Sequence, residues 1–208
     1  ISISGLGIGF KQAAFSHEVC KPLQLTLDVG RVVAFVGPSG CGKSTSLEVL
    51  AGLRAPLFGK ASYIDGSSRT LLRASEQRLP RGVCSFVEQH PYIFCGTVRE
   101  NLGFGDYQSS SDEALWAALE KVGLAETFRQ RQGLESRIAD RAENLSEGQI
   151  YRLGLARALL SDRPFLLLDE PVAALDGDAT KRVVSIIDAL RRDKGIVLVT
   201  HHMPEQLE

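Results

Sequence analysis

Residues Gly37–Ser44 read GPSGCGKS and fit the spacing G-x-x-x-x-G-K-[ST] in full. Glycines at such positions let the backbone curl until several N–H groups point inward at one anion. An apolar strand pattern precedes the loop and a helix pattern follows it, and the helix start adds positive potential. Lys43 brings a full charge to the β- and γ-phosphates of a nucleotide, and the Ser44 hydroxyl suits a magnesium ligand. A glycine-rich turn with an incidental lysine is the alternative, and the strand-loop-helix context speaks against it. Cys41 occupies an unconstrained position of the loop, where an exposed thiol would make the site sensitive to oxidation or alkylation.

A second constellation lies far along the chain. FLLLDE ends an apolar run with two acids, Asp169 and Glu170. Buried parallel strands deliver their C-terminal residues to the ligand crevice of an α/β sheet. There Asp169 is placed to hold magnesium, and Glu170 to orient and polarise a water. His201 follows the run IVLVT and can reach the same sheet edge, within hydrogen-bonding reach of a γ-phosphate and of the water on Glu170. Its neighbour His202 points differently. A solvated turn is the plain reading of two adjacent acids, and the phosphate loop upstream is what argues against it.

A third stretch, NLSEGQIYR from Asn144 to Arg152, offers a serine with no histidine nearby to activate it. A helix starting near Ser146 carries free N–H groups, a positive dipole end, a hydroxyl and a close-approach glycine, Gly148. Those are parts for binding an anion rather than for nucleophilic attack. The plain reading is an N-cap, Ser146 with Glu147 in the first turn. Capping alone does not ask for Gly148 and Gln149.

The elements that must position these residues alternate between strand and helix patterns, which predicts an α/β fold with a parallel sheet. RVVAFVG, RPFLLLDE and GIVLVTH read as buried strands. KSTSLEVLAGL and Asp178 to Arg191 read as helices. SSSDEALWAALEKVGL reads as a helix opened by Ser and Asp, with Leu115, Ala118, Leu119 and Val122 as its apolar stripe. With the LSEGQIYRLGLARALL helix it forms a mostly helical insert between the first two core strands. The first thirty residues and GKASYIDG read as shorter, more exposed strands in a separate antiparallel layer.

Composition is that of a soluble globular chain, and 208 residues suffice for one core shared by two lobes. The formal net charge of −1 gives no support to nucleic-acid binding. Apolar runs are strand-length, too short to cross a bilayer. The start at Ile1 without a methionine suggests a domain excised from a longer chain or from a complex with membrane domains. Cys20, Cys41, Cys84 and Cys95 show no metal-ligand spacing and read as free thiols of a reducing compartment.

Together these motifs resemble the ATP-binding cassette (ABC) ATPases, the nucleotide-binding domains of ABC transporters, over about Leu23 to His201. GPSGCGKST (Gly37, Pro38, Ser39, Gly40, Cys41, Gly42, Lys43, Ser44, Thr45) looks like the Walker A segment, and FLLLDEP like Walker B with its catalytic glutamate. VEQHPYIF with Gln89 resembles the Q-loop, AALD with Asp176 the D-loop, VTH the switch histidine, and LSEGQ the family signature. GTVRENLGFG and DRAENLSEGQ resemble the exporter-type branch, whose carboxylate-bearing loop falls here around Asp140 and Glu143. DEPVAALD and LSEGQ are also similar to bacterial thiol exporters tied to cytochrome assembly.

The resemblance implies a P-loop NTPase core with a parallel sheet, an antiparallel β layer and a helical subdomain carrying the signature motif. The core would span about 1–95 and 161–208, and the helical subdomain about 96–160. It implies ATP and Mg2+ as ligands, with Ser44, Gln89 and Asp169 at the metal and Lys43, Glu170 and His201 in hydrolysis. It implies a head-to-tail dimer with a second ABC ATPase domain, Ser146, Glu147, Gly148 and Gln149 acting in trans. Transmembrane domains of a transporter would be the other partner, at the cytoplasmic face of the membrane. Pro91, Tyr92 and Phe94 are candidates for the surface that receives those domains; core packing is the other reading for Tyr92 and Phe94.

Four departures stand out. The second glycine of the signature is Glu147. Val172 and Ala173 replace the hydroxyls common in the D-loop. The adenine-stacking aromatic should fall near Gln12, where Phe10 and Phe15 only flank it. The chain also stops soon after His201. They keep a second reading open, a weakly hydrolysing half of a heterodimer, and a third, a soluble ABC ATPase, which lacks the insertions such proteins carry.

Overall fold

The computed structural model describes residues 1–12, 15–18, 20–65, 68–73, 78–79, 82–105 and 110–201. The chain opens with β1 (Ser2–Gly7), the hairpin β2 (Gly9–Gln12) and β3 (Phe15–Glu18), and β4 (Leu23–Thr26). Then come β5 (Val32–Val36), α1 (Lys43–Leu50), β6 (Phe58–Asp65), β7 (Ser68–Arg73) and β8 (Cys84–Val87). The middle of the chain holds β9 (Gly96–Thr97), α2 (Val98–Leu102), α3 (Asp112–Val122), α4 (Ala125–Arg129) and β10 (Arg137–Ile138). It closes with α5 (Glu147–Leu159), β11 (Phe165–Asp169), α6 (Gly177–Leu190) and β12 (Gly195–Thr200).

Four strands form the parallel sheet in the order β5-β12-β11-β8. Every residue of β11 and β12 is buried, because each face of this sheet is covered by its own apolar cluster. Alternation divides the strands between the two. Leu166, Leu168, Ile196 and Leu198 join the cluster built by α2 to α6, while Phe165, Leu167, Val197 and Val199 join the one built by α1 and the first strands. The predicted apolar stripe of α3 is buried in the helical cluster.

The antiparallel layer, in the order β4-β1-β6-β7, is present as expected. The expectation that its strands are the more exposed ones does not hold for the inner face. Ile3, Leu6, Ile8, Leu27 and Ala61 are buried, since this layer roofs α1 and one face of the parallel sheet. Strands too short to show a clear alternation hid that face from the sequence. No helix among the described residues is long and apolar enough to cross a membrane.

Candidate functional site

The phosphate loop leaves β5 and turns into α1. Gly40 (φ +79°) and Gly42 (φ +93°) take left-handed conformations, and Gly42 is the N-cap of α1 without any capping side chain. The first turn of α1 therefore presents bare N–H groups to the loop. Lys43 folds back over the loop and donates to the carbonyls of Gly37 at 2.8 Å and Pro38 at 2.9 Å, which spends two of its three N–H donors on loop shape. A Cβ on Gly37 would stand 3.2 Å from Cys41 Sγ, so the thiol packs against the loop's own first glycine.

The two acids follow β11. Register pairs Asp169 with Val199 on β12, so Glu170 and His201 emerge at the same sheet edge. Glu170 has φ +48°, a left-handed conformation that costs a residue with a side chain about 1–3 kcal/mol. Its N–H donates to Val199 O at 2.9 Å, which holds the turn. The side chain then meets the half-exposed His201, with Nε2 3.4 Å from Glu170 Oε1. The side chains of Phe10, Gln12 and Phe15, and residue His202, lie outside the described residues.

One cavity of about 320 Å3 is lined by Ser39, Gly40, Gly42, Lys43, Ser44, Thr45, Gln89, Glu170 and His201. It thus gathers four segments that the sequence keeps apart. Asp169 sits just behind this lining, buried. Burial pushes its carboxyl above the usual carboxylate range, while the Ser44 hydroxyl and the Lys43 charge work the other way. Its Oδ1 has no hydrogen-bond partner among the described residues. One carboxylate beside a hydroxyl and an amide oxygen is a hard-oxygen set with few protein ligands, which fits Mg2+ held jointly with phosphates and water.

The Ser146–Gln149 segment lies apart from this cavity. Ser146 caps α5, and its Oγ accepts from Gln149 N–H at 3.2 Å while Gln149 Oε1 accepts from Ser146 N–H at 3.0 Å. A Cβ on Gly148 would lie 3.0 Å from Ala174 O and 3.2 Å from Leu175 Cδ2. Both residues that capping alone did not seem to require therefore have work within this chain. Gln149 completes the capping box, and Gly148 lets the 172–176 loop approach. Ser146, Glu147 and Ala174 are exposed, and the capping box uses the N–H groups of Ser146 and Gln149 but not those of Glu147 and Gly148. Asp176 caps α6, accepting from Ala179 N–H at 2.8 Å.

Some residues of consequence were not singled out in the sequence. Asn101, fully buried, donates to Phe94 O and Thr97 O and accepts from Phe94 N–H. Arg157 of α5 donates to Asn101 O at 2.7 Å and Tyr92 O at 3.0 Å. A Cβ on Gly154 would fall 2.6 Å from Pro91 Cβ, so the segment after Gln89 is keyed into α5. Tyr92 is exposed, whereas Phe94 packs against Phe104 with ring centroids 5.3 Å apart. A buried asparagine inside a polar run carries no periodic signal, which is why pattern reading passes over it.

The fold and this cavity define a P-loop nucleotide-binding domain. The ABC transporter family model matches residues 20–173, and an AAA-domain model matches 141–207. The mycobactin import ATP-binding/permease protein IrtB of Mycobacterium tuberculosis (strain ATCC 25618 / H37Rv) is 37% identical over 202 residues, 94% of this chain and 34% of that protein. The glutathione/L-cysteine transport system ATP-binding/permease protein CydC of Escherichia coli (strain K12) is 34% identical over 203 residues, 98% of this chain and 34% of that protein. A solved bacterial Atm1-family ABC exporter with ATP bound has the same fold, with a TM-score of 0.80 at 24% identity over 97% of this chain and 34% of that one. This chain belongs to the ABC transporter family, as its ATP-binding ATPase domain. It spans about a third of the length of these relatives.

Proposed function

We propose that this domain hydrolyses MgATP to power a transporter, closing head-to-tail on a second ABC ATPase domain when ATP is bound. The observation that carries the reading is the 3.4 Å approach of His201 to Glu170 at the wall of the cavity that the phosphate loop and Gln89 also line. Glu170 takes the role of water-orienting base, with His201 holding that carboxylate and reaching the γ-phosphate. Lys43 has one donor left for phosphate oxygens once its two loop carbonyls are counted. Ser44, Gln89 and Asp169 would hold Mg2+, which when bound neutralises charge on the β- and γ-phosphate oxygens.

The trans role of Ser146 to Gln149 draws on the uncapped N–H groups of Glu147 and Gly148 and on the exposure of Ser146. Their bond to a phosphate in another subunit would stabilise only the closed state. Relatives that are ATP-binding/permease proteins support transmembrane domains as the other partner and association with a membrane, and the cytoplasmic face is the side this reading assigns. Residues 1–95 with 161–208 then act as catalytic core and 96–160 as helical subdomain. Export is the direction the motif resemblance favours, although the relative IrtB is named for mycobactin import. Exposed Glu147, next to Ser146, favours a second reading in which this is the slower half of a heterodimer. Turnover of MgATP by wild type, and its near-complete loss with ATP retained in Glu170→Gln, is the deciding experiment. A Glu170→Gln variant that hydrolyses at the wild-type rate overturns the assignment.

A further inference from the structure

Besides Ser85 Oγ on β8, two buried polar atoms have no hydrogen-bond partner among the described residues: the Tyr151 hydroxyl on α5 and Asp169 Oδ1 at the end of β11. Tyr151 is 3% exposed and Asp169 5%. The tyrosine sits in the second turn of α5, and its ring belongs to the cluster that includes Val87 and Leu168, the residue before Asp169. Burial first, and then the charges of Asp169 and Glu170, hold the phenol in its protonated, donor form. A buried hydroxyl left alone and a buried carboxylate oxygen left alone are each unfavourable. Buried water that accepts from the one and donates to the other removes both penalties together.

We propose that Tyr151 is a positioning residue for hydrolysis, donating through buried water to Asp169 Oδ1 and so fixing the carboxylate assigned to the metal. This rests on the reading of Asp169 given above. It makes α5, whose N-terminus bears Ser146, a support of the hydrolytic strand within its own subunit. Glu170 follows Asp169 directly, so a fixed Asp169 side chain also steadies the left-handed turn that aims the base.

Tyr151→Phe removes the hydroxyl and little else, and is tested in the protein as encoded, flanking segments included. Thermal unfolding without nucleotide or metal is compared for wild type, Tyr151→Phe, Asp169→Ala and the double variant. The expected result is a lower Tm for Tyr151→Phe and no further loss when Asp169→Ala is already present. A hydroxyl that is truly isolated predicts the opposite sign, since Phe then relieves an unsatisfied group. In a Glu170→Gln background, Tyr151→Phe should weaken MgATP binding about 3- to 10-fold while ATP binding without metal is unchanged. A raised or unchanged Tm, an equal loss in both backgrounds, or equal weakening with and without Mg2+ overturns the proposal. Wild-type protein that fails to hydrolyse MgATP would instead sink the functional reading, and with it the catalytic half of this proposal. Lost coupling with normal turnover sinks the link alone.

Discussion

Ala174 O stands 3.0 Å from where a Cβ of Gly148 would be, so the signature helix and the loop before α6 touch backbone to backbone. Gly148→Ala is therefore expected to lower stability by about 1 kcal/mol, where an alanine in an open helix position would raise it by a similar amount. Urea unfolding without nucleotide measures this, because no partner subunit is then engaged. A stabilised Gly148→Ala protein would show that the loop yields freely.

His201 and Glu170 should act as a unit. His201→Ala is expected to slow hydrolysis about 10- to 100-fold, and to slow it hardly further when Glu170→Gln is present. Single-turnover rates on the four proteins of this cycle test it. Additive losses would separate the two roles.

The cysteines should divide by position. Cys41 is partly exposed in the phosphate loop and Cys95 is exposed, whereas Cys84 is buried. ATP should slow maleimide labelling of Cys41 without slowing that of Cys95, and Cys84 should label only on unfolding. Mass spectrometry of the labelled peptides reads all three. Equal labelling of Cys41 with and without ATP would place the thiol outside the nucleotide's footprint.

Alkaline pH supplies a sharper check on Cys84, whose thiol burial pushes up from 9.0 to about 12. An acid with a raised folded-state value adds stability in full below its unfolded value and loses it as pH climbs through the folded one. Stability owed to Cys84 should thus fade between pH 9.0 and about 12, by up to ~4 kcal/mol. Cys84→Ala should show a shallower alkaline decline in Tm than wild type. Parallel declines would mean that the buried thiol ionises as readily as a free one.

The phosphate loop and the paired acids after β11 were legible because each couples an unusual composition to a strand end, and strand ends carry ligands in parallel sheets. The helices of the middle region were legible from caps and stripes, as in Ser111 opening α3. Gly148 and Gln149 were noticed for a sound reason, and the structure gives each of them work within the chain as well. Their partners, Ala174 O and the Ser146 backbone, are a tertiary contact and a rotamer, neither of which leaves a pattern in the chain. Tyr151 carries no signal in the sequence beyond an aromatic residue within a helix pattern. Only the folded arrangement shows its hydroxyl buried without a hydrogen-bond partner among the described residues.

Pro91 seated in the notch at Gly154 works as a pawl. With Arg157 donating to the carbonyls of Tyr92 and Asn101, it ties α5 to the segment that follows Gln89, so a shift of the helix along its axis would carry that segment with it. In a closed pair of domains, α5 would face one nucleotide and Gln89 the other. News of the first reaching the second would then travel as a push across a single tooth, and shaving that tooth with a smaller residue at 91 would leave two sites firing out of step.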